Sequence, residues 1–233
     1  MATSKHPVGL YQELPIKLTA HDMFFIHRNL GRPPRWTFPG VITGYGLRCI
    51  RLSFENFDQL WPLLAEGDTT YVDEEYRERA GLYETLLHRY GHDVYSGKHG
   101  ACDWLIVETD KAPKAPTSYD GWAQSGNVRL RDGERLVGVL HLHALSAERL
   151  GYGMPNPFVG VQLSDADRGR GLGGRAIGLL EWFVSSTYEE ATGVTAHILA
   201  GNTRSLRLFE KLGFVESDAY AGRAGEVFLV KEL

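Results

Sequence analysis

Residues 158–175 constrain the fold of this chain more tightly than any other stretch. An apolar run, Phe158-Val159-Gly160-Val161-Gln162-Leu163, enters a polar segment from Ser164 to Asp167. The segment continues as Arg168-Gly169-Arg170-Gly171-Leu172-Gly173-Gly174-Arg175. Beyond it, Leu172, Ala176, Leu179, Leu180, Phe183 and Val184 recur at helical spacing. The pattern predicts a buried strand, a glycine-rich turn and a helix with one apolar face.

A helix start leaves several backbone N–H groups without intrahelical partners. Where glycines remove side chains, those donors and the positive end of the helix dipole can close on a phosphate. Glycine also tolerates the positive φ that such a cradle needs. Arg168 and Arg170 add charge that suits a diphosphate. Neither standard nucleotide motif fits: no Lys-Ser/Thr follows in P-loop register, and the dinucleotide fingerprint would need a glycine at Asp167 or Arg168. The spacing is Arg168-x-x-Gly171-x-Gly173.

A second motif follows: Asn202-Thr203-Arg204-Ser205-Leu206-Arg207-Leu208-Phe209-Glu210-Lys211-Leu212-Gly213-Phe214. The first motif resembles the coenzyme A pyrophosphate loop of the GNAT N-acetyltransferase superfamily. The second resembles the Asn-x-x-Ser…Glu-Lys-x-Gly-Phe segment of the branch that acetylates ribosomal-protein N-termini and small amines. Both stand in the expected order, with a strand-like Gly193 to Leu199 between them. The resemblance covers roughly residues 43–233. It implies an α/β fold with a mixed, mostly antiparallel central sheet flanked by helices.

At 233 residues the chain can bury a sizeable core. Its net charge of −4 gives no basic excess for nucleic acid. Cys49 and Cys102, the two cysteines, lack disulfide or metal-ligand spacing and read as buried free thiols, which suits a cytoplasmic protein. No metal centre is expected, no apolar run has signal-peptide length, and none is long enough to cross a membrane.

Residues 1–42 differ in character. Lys5, Lys17, Arg28, Arg32 and Arg35 outnumber Glu13 and Asp22, and Pro33-Pro34 and Pro39-Gly40 interrupt regular structure. Phe24, Phe25, Trp36 and Phe38 make a floating tail a poor reading, leaving an arm packed on the main domain or a second subunit, or a lid. A homodimer is compatible with that arm. Residues 43–233 then form the acetyltransferase domain.

Within it, Tyr45 to Ser53 reads as a strand, Phe54 or Glu55 to Leu64 as a helix, and Asp73 to Tyr90 as a second helix. Cys102 to Glu108 reads as a strand and Lys111 to Asn127 as a long loop. Asp132-Gly133 is a hairpin signal that lets Val128-Arg129-Leu130 pair with Leu136 to Ala144. Alternation puts Val137, Val139, His141 and His143 on one face of that strand, with Gly138, Leu140, Leu142 and Ala144 on the other. Asn202 reads as an N-cap, Gly213 as a C-terminal glycine and Glu226 to Lys231 as the last strand.

The resemblance implies acetyl transfer from acetyl-coenzyme A to a primary amine, on a small molecule or a peptide N-terminus, by direct attack on the thioester. It implies that coenzyme A lies on the backbone of Val161 and Leu163, on the loop Arg168, Gly169, Arg170, Gly171, Leu172 and Gly173, and on Asn202 and Ser205. Three positions depart from the family pattern. Phe158 stands where a glutamate is common, Arg175 where another follows the glycines, and Phe209 where many members carry a proton-donating tyrosine. His141 and His143 are the substitute proton acceptors, since an unperturbed histidine titrates near pH 6.5. Ser205 is the nearest hydroxyl for the departing thiolate. Other readings are a non-catalytic acyl-coenzyme A-binding or regulatory module, a different acyl group, or a protein N-terminal acceptor.

Overall fold

The apolar run 158–163 forms a strand and Leu172–Thr187 a helix of 16 residues, as the periodicity predicts. The computed structural model describes residues 39–52, 56, 59, 62–63, 99–116, 118–120, 130–145, 156–188, 191–218 and 225–233. In chain order its elements are β1 (Val41–Gly44), β2 (Leu47–Arg51), β3 (His99–Glu108), β4 (Ser118–Asp120), β5 (Arg135–Leu145) and β6 (Phe158–Leu163). They continue with α1 (Leu172–Thr187), β7 (Gly193–Leu199), α2 (Thr203–Lys211), β8 (Val215–Glu216) and β9 (Glu226–Glu232). The strands make one nine-stranded sheet in the order β4-β1-β2-β3-β5-β6-β7-β9-β8. Every pairing is antiparallel except that of β6 with β7. The sheet is therefore mixed and mostly antiparallel, with helices packed on it.

The core follows from α1. Leu172, Ala176, Ile177, Leu179, Leu180, Phe183 and Val184 are buried, and they belong to one cluster with Ile42, Trp104, Leu140, Leu142 and Val159 from the sheet. Phe183 meets Trp104 edge-on at 6.1 Å between ring centroids. Each large side chain so buried contributes roughly 1.5–3 kcal/mol. The opposite end of the sheet is locked by α2. Asn202 caps it by accepting a hydrogen bond from Ser205 N–H, and Gly213 ends it at φ 89. Gly213 N–H donates to Glu210 C=O and Phe214 N–H to Phe209 C=O, while the Phe209 and Phe214 rings meet edge-on at 4.9 Å. That is a Schellman ending with its hydrophobic contact.

Several expectations change. The strand expected at 45–53 is present as β2, Leu47–Arg51, but starts two residues later, because Tyr45 and Gly46, both at positive φ, form the turn that joins it to β1. A residue-Gly pair between two short strands suits a primed turn, the signal that was read past. The loop at 111–127 contains β4, which pairs with β1. The expected pairing of Val128-Arg129-Leu130 with β5 falls largely outside the described residues, among which β5 pairs with β3 and β6. The Asp132-Gly133 turn itself is real, with Gly133 at φ 81 and Glu134 N–H donating to Arg131 C=O. Val137 leaves the face of Val139 and joins Leu140 and Leu142 in the core cluster, because a bulge opposite Ile106/Val107 shifts the register there. β3 begins at His99, three residues before the expected Cys102.

Cys49 and Cys102 are buried free thiols, and burial pushes the Cys49 thiol up to about 12. The helices expected at 54–64 and 73–90 fall largely or wholly outside the described residues, as do residues 1–38. The division at 42/43 therefore stays a proposal. No described helix is long and apolar enough to cross a membrane.

Candidate active site

The site begins where two strands part. β6 is paired along its whole length with β5, from Phe158 opposite His143 to Leu163 opposite Gly138. On its other edge, β6 meets β7 in one register, Phe158 opposite Thr195, with Thr195 N–H donating to Pro157 C=O. β7 instead continues along β9 from Gly193 to Leu199. From Val159 to Leu163 the backbone of β6 thus presents ladder groups into a widening gap. The Val161 and Leu163 side chains approach α1, lying 3.8 and 3.7 Å from where a Gly173 Cβ would stand. Their side chains serve packing while their backbone faces the gap.

At the end of β6, Ser164 leads through a single 3-10 turn, Asp165–Asp167, into the glycine loop. Gly169 and Gly171 both have φ 76, and a Cβ on either would meet nothing within 4 Å. Gly171 is the N-cap of α1; no side chain caps the helix, and its first turn has no acidic residue. Arg175 sits there instead, an arrangement that favours an anion at the helix start. The open space over the glycines and the uncapped donors fit a phosphate.

Gly173 differs from its neighbours. A Cβ there would stand 3.2 Å from Leu208 Cδ2 of α2, so a side chain at this position presses on the neighbouring helix.

The charges around the loop are mutually held. Arg170 donates to Asp167 at 2.7 Å and to Glu108 at 3.0 Å, and Arg135 to Asp167 at 2.5 Å and Glu108 at 2.7 Å. Arg175 reaches Glu108 at 3.4 Å, and Arg168 pairs with Asp165. Burial raises both acids, but hydrogen bonds from Arg135 and Arg170 outweigh it and hold Glu108 below its usual range; Ser164, Arg135 and Arg170 do the same for Asp167. Arg168 and Arg170 are therefore engaged with carboxylates. Glu108, Arg135 and Asp167 were missed in the sequence. Asp167 alone had a local signal, standing three residues before Arg170 on a tight turn.

Across the sheet, Asp103 of β3 stands opposite His141 of β5. Asp103 Oδ1 is 2.5 Å from His141 Nδ1, with Asp103 nearly fully buried and His141 half-buried. An ionised carboxylate only accepts, so Nδ1 is the donor in this hydrogen bond. A Cβ on Gly160 of β6 would lie 3.7 Å from His141 Cδ2, which puts the imidazole over Gly160, one residue before Val161. His143 lies two residues further along β5, and one ligand atom from each of Asp103, His141 and His143 falls within 4.8 Å of the other two. A lone acid in the apolar run Cys102-Asp103-Trp104-Leu105 was the signal for Asp103.

Ser205 is half-buried in the first turn of α2, and its N–H is capped by Asn202 Oδ1 at 3.2 Å. Phe209 is buried against Phe214, a core position. Phe158 meets Phe228 edge-on at 6.4 Å.

Comparison with known proteins agrees with this geometry. Residues 137–221, which run from within β5 to beyond the second motif, match the family described as FR47-like protein. No curated protein matches. Among solved structures, an acetyltransferase from Agrobacterium tumefaciens superposes with a TM-score of 0.56 at 15% identity, covering 85% of this chain and 96% of that one. The Salmonella typhimurium acetyltransferase that modifies the N-terminal serine of a 50S ribosomal subunit protein gives 0.55 at 10% identity, with 81% and 95% covered. RimL, a ribosomal α-N-protein acetyltransferase solved with coenzyme A, gives 0.50 at 14% identity, with 82% and 98% covered. The chain has the fold of the GNAT acetyltransferases and carries within it an FR47-like segment.

Proposed function

We propose that this protein is an acetyl-coenzyme A-dependent N-acetyltransferase acting on a primary amine. The observation that carries the reading is the parting of β6 from β7 after Phe158 and Thr195, directly before an uncapped, glycine-lined helix start. A strand edge for amides and a helix start for a diphosphate are what coenzyme A needs. The backbone of Val161 and Leu163 holds its pantetheine arm. The N–H groups of Gly171, Leu172 and Gly173 hold the diphosphate, with Gly169 giving room and Arg168 and Arg170 adding charge.

Acetyl-coenzyme A supplies an activated acetyl thioester. His141, oriented by Asp103, accepts the proton that the amine loses as its C–N bond forms. A backbone N–H near Val161 stabilises the charge on the carbonyl oxygen. Ser205 donates a hydrogen bond to the sulfur as the C–S bond breaks, aided by the start of α2. Such a bond to a charged group contributes roughly 1.5–3 kcal/mol. His143 is left outside the proton relay.

The neighbours support a peptide N-terminus or small amine as acceptor, since two are described as acting on ribosomal protein N-termini. An α-amine with a pKa near 7.7–8.0 is already about a tenth neutral at pH 7, so a modest base suffices. The non-catalytic module reading draws on Phe158 and Phe209, which carry no acid–base group, and it stays the alternative. The test is release of free thiol from acetyl-coenzyme A with a panel of small amines and peptides. Amine-dependent release and an acetylated acceptor support the proposal. Binding of coenzyme A with no release for any acceptor favours the module.

A further inference from the structure

We infer that Asp103, His141 and His143 form a binding site for a divalent cation of the zinc class. The cysteines offer no metal-ligand spacing, and Asp103 is 38 positions from its partner His141. The sheet brings them together. Asp103 and His141 are direct cross-strand partners in a pairing that runs from His99 opposite Leu145 to Glu108 opposite Arg135. His143 lies on the same face as His141, two residues along one strand. A ligand set built on adjacent strands is positioned by the ladder itself, without the freedom of a loop.

Two imidazoles and one carboxylate are a borderline ligand set. It suits zinc, cobalt or iron in the divalent state better than magnesium or calcium, which take oxygen ligands. The one ligand atom from each residue lies within 4.8 Å of the others. Bonds of about 2.0–2.1 Å to a tetrahedral centre need ligand atoms about 3.4 Å apart. Side-chain rotations close that difference, at most about 1.4 Å. Three protein ligands leave a fourth position for water.

One consequence rests on the role proposed for His141: bound metal withdraws it from proton transfer. The site itself does not rest on that role, and its test needs neither acetyl donor nor acceptor. The full chain is stripped with chelator, dialysed and titrated with Zn²⁺ against a chromophoric chelator, with Co²⁺ as a spectroscopic probe. Wild type should take about one Zn²⁺ per chain at micromolar concentration, and Co²⁺ should give the visible absorption of a tetrahedral site. Asp103→Asn and His143→Gln should each weaken Zn²⁺ binding by about 100-fold or more, since even outer-shell losses cost about 10- to 100-fold. His143→Cys should restore binding and add a sulfur-to-cobalt charge-transfer band, an outcome that a purely structural histidine would not give. Failure of wild type to bind Zn²⁺, binding that survives all these variants, or equal binding of Mg²⁺ would overturn the inference. Should Asp103→Asn fail to fold, the His143 pair decides it alone.

Discussion

Phe158 on β6 and Thr195 on β7 face each other in the one parallel register that joins the two halves of the sheet. Past that pair the strands separate, and the loop that leaves β6 delivers the uncapped start of α1 to the same end of the gap. The proposed cofactor site is this juxtaposition. Its parts contribute differently, so substitutions within it should fail in different ways.

Gly171 and Gly173 separate the two kinds of failure. Gly171→Val strains a residue at φ 76 but meets no neighbour, so the fold should survive a cost of about 1–2 kcal/mol. Coenzyme A at about 100 times its wild-type dissociation constant should stabilise wild type by about 2.7 kcal/mol and this variant by almost nothing. Gly173→Val drives a side chain into Leu208 and should lower the melting temperature without ligand, at a cost of about 1–3 kcal/mol. Thermal melts with and without coenzyme A read both effects. Identical ligand shifts in wild type and Gly171→Val would remove the loop from the cofactor site.

His141 should matter to rate more than to binding. His141→Gln should lower kcat by about 10²-fold and leave KM for acetyl-coenzyme A nearly unchanged, with partial recovery on adding imidazole. Asp103→Asn should lower kcat in the same direction, because the amide can turn its N–H₂ toward Nδ1 and favour the wrong tautomer. Steady-state kinetics on both variants check this. Wild-type kcat in His141→Gln means that the amine loses its proton to water.

Ser205→Ala should slow turnover by about 10- to 100-fold, the equivalent of one hydrogen bond to a charged group, with little change in coenzyme A affinity. Asn202→Ala removes the side chain that caps Ser205 N–H and should lower stability by about 1 kcal/mol. Kinetics under single-turnover conditions, alongside urea unfolding, distinguish the two. Undiminished turnover in Ser205→Ala would exclude the serine from the leaving-group step.

Acid should loosen the loop. Burial raises Glu108 and Asp167, yet arginine hydrogen bonds hold both below their usual ranges. A depressed carboxylate stabilises the fold above its unfolded pKa and loses that contribution as pH falls through its folded value. The loss should begin near the unfolded values of about 3.9 for Asp and about 4.3 for Glu and deepen below them. Urea midpoints measured from about pH 7 down to pH 3 should fall more steeply in wild type than in Glu108→Gln. Parallel curves would mean that the network adds nothing to stability at neutral pH.

Elements whose signal is local were legible in the sequence. The strand 158–163, the helix from Leu172, the Asn202 cap and the Gly213 ending each depend on residues within a few positions of one another. Partners set by the sheet were not. Asp103 meets His141 only because β3 and β5 pair in one register, and Glu108 meets Arg170 only because β3 ends beside the glycine loop. Gly171 and Gly173 look alike in sequence, and only the packing of α2 on α1 separates a glycine that faces open space from one that faces a neighbour. The Tyr45-Gly46 turn was local, and its residue-Gly signal was simply outweighed by the apolar run around it.

The most direct measurement is a crystal structure of the full chain with coenzyme A. It should place diphosphate oxygens within hydrogen-bond distance of the N–H groups of Gly171, Leu172 and Gly173, and the pantetheine amides along Val161 and Leu163. The sulfur should lie in the gap between β6 and β7, within reach of Ser205. Coenzyme A bound elsewhere, with the edge of β6 and the start of α1 untouched, would contradict the account.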